Sequence, residues 1–334
     1  MKYICVLLVF MFSAVSFGKE PVKIIFDTDM GNDVDDALAL SMLHALKARN
    51  EIDLLAVTIT KDNPHAASYI DAVNTHYGNP DIPIGIVKSG PTKDDGKFIK
   101  IASEKENGKL KYPHDLTVGK NIPDATKVLR KVLASQPDNS VVIVQVGFST
   151  NVSRLLDSKG DDISPLSGME LVNKKVKYLS AMFGLFRITP NMHNKDYREY
   201  NVYTDLPAAK NLLEKWPKEI IFSGFEIGEN LHFPRKVVDE EFNYVKDHIV
   251  KRSFYLYTGG NRPTWDLTNV LEAARPGYGY FDMSRRGTVT VDQHGNTNFT
   301  SSPNGKHRYF VLNEAQKLRI MEALTLLSTQ PPSK

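Results

Sequence analysis

Apolar residues come in short, nearly unbroken runs along this chain, separated by stretches whose apolar positions recur three and four apart. "VKIIFD" (22–27), "IDLLAVTIT" (52–60), "IPIGIV" (82–87), "VVIVQVG" (141–147), "VKYLSAM" (176–182) and "EIIFSG" (219–224) are such runs. Most are rich in Val, Ile and Leu, as expected of strands covered on both faces. The amphipathic stretches 35–48, 64–77, 124–134 and 206–215 lie between them and predict helices. This alternation predicts an α/β fold, an open, mostly parallel, Rossmann-like sheet flanked by helices. Past residue 235 the pattern turns mainly helical. "GTVTVDQHGNTNF" then alternates around His294-Gly295-Asn296, which predicts a small hairpin before a last helix over 313–327. The segment 88–120 is rich in Lys, Gly and Asp and predicts a long surface excursion, of a kind that often serves as a lid. There is no internal repeat or low-complexity linker, so one domain over 22–330 is expected.

The N-terminus departs from this pattern. "MKYICVLLVFMFSAVSFGKE" has one Lys, a continuous apolar run, small residues and then charge. That is the layout of a secretory signal peptide, over 1–18, and the run is short for a membrane span. A secreted or periplasmic location follows as an expectation, with no membrane association after cleavage. The single cysteine, Cys5, lies in this segment, so a mature chain would hold no disulfide, zinc-thiolate site or thiol nucleophile. Of the 334 residues 41% are apolar and 24% charged, and a net charge of +3 with scattered Lys and Arg gives no case for nucleic-acid binding.

The chemistry concentrates in "FDTDMGNDVDDALAL" (26–40), where Asp27, Asp29, Asp33, Asp35 and Asp36 crowd one turn. Asp27 and Asp29 fall at the carboxyl end of a predicted strand, where open parallel sheets bind ligands. Asp35 and Asp36 fall in the first turn of a predicted helix, where the dipole favours negative charge, and Asp33 could serve as a helix cap. Capping does not account for Asp27 and Asp29. Carboxylates converging without Lys or Arg in the turn point to a hard, oxygen-seeking cation such as calcium or magnesium. An EF-hand beginning at Asp27 would need Gly at Asn32 and Glu at Leu38, and a haloacid-dehalogenase signature would need Thr at Gly31, so neither fits.

"DTDMGNDVDDALAL" instead resembles the N-terminal signature of the inosine–uridine-type nucleoside hydrolases, in a longer-spaced variant. The likeness extends over nearly the whole mature chain. "VVIVQVGFSTNVSRLL" resembles the family's central strand and following turn, where a backbone carbonyl, here that of Val146, serves the metal. "REYNVYTDLPAAKNLL" resembles the stretch holding the ribose 5′-hydroxyl, with Glu199 and Asn201 at the matching positions. Their i, i+2 spacing would put both on one side of an extended segment. "NRPTWDLTNVLEAARP" resembles the late metal motif, with Asp266 as ligand. Trp265 stands where many members have His and where purine-preferring members have an indole that stacks on the base. A sugar-contacting Asn falls at His193 or Asn194, of which Asn194 is taken, and ungapped counting of "VTITKDN" puts another at Asn63. His44 and His65 are expected to be packing or surface residues.

The resemblance implies a calcium ion held by Asp29, Asp36, the Val146 carbonyl and Asp266, with Asp29 as general base and Asp35 on a ribose hydroxyl. It implies hydrolysis of ribonucleosides, purine ribosides above all, to ribose and free base, by an enzyme that is commonly a dimer or tetramer. Two rivals share the same residues: a calcium-dependent binding protein for nucleosides or other cis-diols, and a hydrolase of another ribosylated compound.

Overall fold

The computed structural model describes residues 20–188 and 197–333. The proposed signal segment and Asn194 lie outside the described residues. Six strands run in parallel order Ile84–Ile86, Ile52–Ile59, Val22–Thr28, Val141–Gln145, Val176–Met182 and Ile220–Ser223. Their apolar runs are continuous because the sheet is covered on both sides. Ile24 and Phe26 enter one buried cluster and Ile25 the other, and Val142 and Val144 are likewise separated from Val141 and Ile143.

The late hairpin forms between Gly287–Val291 and Thr297–Ser301, but the sheet does not end there. His307–Val311 lies between the hairpin and Ile220–Ser223, paired parallel to the latter and antiparallel to the former. Its sequence, "HRYFV", gave no warning: only His307 and Phe310 are buried, so it lacks the signature of a two-face-covered strand.

The excursion 88–120 is less of a surface loop than its composition suggests. Phe98, Ile99, Ile101 and Ala102 are buried in the main core beneath the helix Pro64–His76. Four apolar residues in a polar stretch suffice to anchor it. Gly96, at φ +56°, lets the incoming chain touch the aspartate turn, since a Cβ there would sit 2.1 Å from the Gly31 carbonyl oxygen. No helix among the described residues is long and apolar enough to cross a membrane.

The helix Asp35–Ala48 packs against the helices Asp266–Ala274 and Glu314–Ser328. The first two therefore begin side by side, and residues 230 positions apart in sequence meet at the carboxyl ends of the central strands.

Candidate active site

The two neighbouring helix starts carry the site. Neither has a side-chain cap from its own flanking residue. Asp35 supplies one across the junction, accepting hydrogen bonds from the Trp265 and Asp266 backbone N–H groups at 2.9 and 3.2 Å. Thr28, at the end of the central strand, donates its hydroxyl to Asp36. The other Asp36 oxygen is buried without a hydrogen-bond partner. Asp35, Asp36 and Asp266 are all buried, with ligand atoms within 4.8 Å of one another.

Such a nest is unfavourable by itself. Burial, and then the neighbouring carboxylates, push Asp35 up to about 8 and Asp36 and Asp266 well above the usual range. Asp29 lines the same cavity and is raised to about 6, chiefly by burial, against a 2.7 Å hydrogen bond from the Asn32 amide and the nearby Lys61 charge. An orphaned carboxylate oxygen among repelling, buried acids is what a divalent cation would satisfy, so the residues present fit a metal ion. One step behind, Asp27 accepts from Thr58 at 2.6 Å and Asn151 at 2.8 Å, and burial holds it at about 7. It does not line the cavity.

The cavity of about 520 Å³ above this floor suits a small molecule. Its far wall is aromatic. Trp265 stacks on Phe225, with ring centroids 5.4 Å apart, and Tyr197 lies 4.0 Å beyond. The indole N–H donates to the Phe225 carbonyl at 2.8 Å, which fixes the ring. Trp265 thus occupies the wall, already flanked by one aromatic partner.

Glu199 and Asn201 both face the cavity, though not from an extended segment. Glu199 caps a short helix, Tyr200–Thr204, by accepting from the Asn201 and Val202 N–H groups at 2.8 and 3.1 Å, and also holds Gly184 N–H. These bonds nucleate a turn that simple alternation does not anticipate, and burial raises Glu199 to about 7. Asn201 donates to the Val146 carbonyl at 2.8 Å, tying the two positions together.

Asn63 departs from expectation. It does not line the cavity, because both ends of its amide are engaged elsewhere: it caps Pro64–His76 and donates to the Lys93 and Asp94 carbonyls and to Asp95. It holds the loop whose Asp94, Gly96 and Lys97 do line the cavity. His44 is a buried packing residue, bonded to Asn74 and Asn79 and pushed down to about 4 by burial. His65 meets Ser103.

Several polar groups at the cavity, or just behind it in the case of Lys61, were not among the candidates. Asn32 and Asp33, both in the aspartate turn, line the cavity. Asp33 pairs with Arg262 rather than capping its own helix. Lys61, fully buried, donates to Asn32 at 2.5 Å and to Asp94 at 2.9 Å. A lysine two residues past a buried strand was the available signal.

Fold and site together define an enzyme of mixed α/β architecture whose buried acidic centre could hold a metal ion. The chain belongs to the inosine-uridine preferring nucleoside hydrolase family, whose model matches residues 24–323, and it is an N-glycosyl hydrolase acting on ribonucleosides. Solved structures agree in fold. An inosine-uridine preferring nucleoside hydrolase from Bacillus anthracis is similar at TM-score 0.68 and 17% identity, over 92% of this chain and 99% of that one. A purine-preferring ribonucleoside hydrolase from Gardnerella vaginalis gives TM-score 0.68 and 17% identity, over 92% and 99%. A plant nucleoside hydrolase gives 0.66 and 19%, over 93% and 100%. No curated protein matches the chain.

Proposed function

We propose that this protein is a secreted, calcium-dependent ribonucleoside hydrolase favouring purine ribosides. The reading rests above all on one observation: a floor of buried carboxylates faces an aromatic wall across a cavity of nucleoside size. The metal-dependent family supports a cation there, and an all-oxygen donor set favours calcium. Asp29, Asp36, Asp266 and the Val146 carbonyl would hold it, with Asp35 adjacent. When bound, the ion supplies charge that acidifies water and favours a vicinal diol.

This chain's own residues do the rest. Glu199 and Asn201 orient the 5′-hydroxyl, and Asp35, its second oxygen free of backbone bonds, accepts from a ribose hydroxyl. Asp29, held near neutrality by burial and aimed by Asn32, takes a proton from the attacking water. The carboxylates beneath the sugar stabilise the positive charge that develops as the base departs. The aromatic wall excludes water from the base. The apolar leader at 1–18 supports export.

The test is base release from a panel of purine and pyrimidine ribosides, with and without chelator. Purine ribosides should be hydrolysed fastest and chelator should abolish turnover; chelator-resistant hydrolysis, or binding with no base released, would refute the reading. A 2′-deoxynucleoside should lose about a hundred-fold or more in kcat/KM, because one of two recognised hydroxyls is gone and its buried partner is left unpaired. Equal rates on ribosides and deoxyribosides would show that the diol is not read.

A further inference from the structure

The cavity is electrically divided. Among the described residues seven carboxylates line it, and only two basic side chains, Lys97 and Arg262. Lys97 lies at the mouth, over the Tyr257 ring and bonded to that residue's carbonyl. Arg262 lies on the aromatic wall, its guanidinium 5.3 Å from the Trp265 ring centre and 5.1 Å from that of Tyr257.

Arg262 is firmly mounted. Its backbone pairs with Phe233 in a two-residue ladder, and three and four positions on, Trp265 and Asp266 are bonded to Asp35 on the acid floor. Asp33 engages Nε, at 3.1 Å, and Nη2, and Tyr257 meets Nη2 from beyond. Nη1 has no hydrogen-bond partner among the described residues, so its two N–H groups are the donors left for a ligand.

The reaction needs positive charge on that side. When the C1′–N bond breaks, its electron pair leaves with the base. The water oxygen forms the new C1′–O bond, one of its protons passes to Asp29, and the base regains a proton from solvent. Until then the base carries negative charge, and among the described residues no histidine lines the cavity to protonate it. Resting on the ribonucleoside reading above, we infer that Arg262, aimed by Asp33, contacts the departing base and selects bases that present two adjacent acceptors, as an oxo-substituted purine does at O6 and N7. An amino group at C6 would offer a donor to a donor and be disfavoured.

The test compares inosine, adenosine and 4-nitrophenyl riboside, whose leaving group needs little stabilisation, with wild type, R262M, R262K and D33N, each checked for an unchanged Tm. Wild type should prefer inosine to adenosine by roughly 10- to 100-fold in kcat/KM. R262M should lose about 100-fold on inosine, bring the inosine/adenosine ratio near unity, and lose far less on the nitrophenyl riboside. R262K, keeping charge without the fork, should recover part of the inosine rate, and D33N should shrink the ratio with the arginine still present. Equal losses on all three substrates, or an unchanged ratio in R262M, would overturn the inference while leaving ribosidase activity standing. Failure of wild type to hydrolyse any riboside would instead remove the reading beneath it, and the inference too.

Discussion

Asp29→Asn should lower ribonucleoside turnover by about a thousand- to ten-thousand-fold, the combined effect of removing a general base and disturbing a metal site. The substitution is nearly isosteric, and the carboxylate it removes is buried and raised to about 6. Asparagine can still accept the Asn32 amide bond. Metal-free stability should therefore be unchanged or slightly higher, since a group whose charge is opposed by burial and by Asp33 has been neutralised. Excess calcium should not restore turnover, because the missing function is acceptance of a proton as well as ligation. Ribosidase activity within about tenfold of wild type would exclude Asp29 as the base and move attention to the remaining acids of the floor.

The sheet and the helix starts were legible because both follow from periodicity. Runs such as Val141–Gln145 can only be strands buried on two faces, and the aspartates sit at the strand ends where ligands bind. What periodicity does not carry is how distant polar groups divide their bonds. Asn63 looks like a ligand-binding residue until the loop at 93–95 is seen to take its amide. Glu199 and Asn201 look extended until Glu199 is seen capping the turn between them. Arg262 is three residues from Trp265 in sequence, yet nothing local shows that Asp33, 229 positions earlier, aims it. The strand His307–Val311 was hidden for a related reason: a polar strand near a sheet margin lacks the pattern that marks its central neighbours.

Calcium should stabilise the protein strongly at pH 8 and weakly near pH 5.5. In the metal-free fold Asp29 and Asp35 are held at about 6 and 8, and Asp36 and Asp266 higher than an ordinary carboxylate. A carboxylate raised above its unfolded value keeps the folded state more protonated than the unfolded chain, so its contribution is fully present below about pH 4. That contribution is lost progressively from about pH 4 until pH has passed the folded values, about 6 for Asp29 and about 8 for Asp35. The cation binds the ionised acids and must displace those protons, so its affinity tightens over the same interval. With calcium at about a hundred times its dissociation constant the gain is about 2.7 kcal/mol, which for a chain of this length corresponds to a Tm rise of about 5 °C. Thermal scans at both pH values, with chelator or excess calcium, measure this directly, and calorimetry in buffers of different ionisation enthalpy counts the protons released. Asp36→Asn removes the oxygen that has no hydrogen-bond partner and should abolish the calcium shift while raising metal-free stability at pH 8. A calcium shift of equal size at both pH values, or one retained in Asp36→Asn, would mean that the ion is bound somewhere other than this nest of acids.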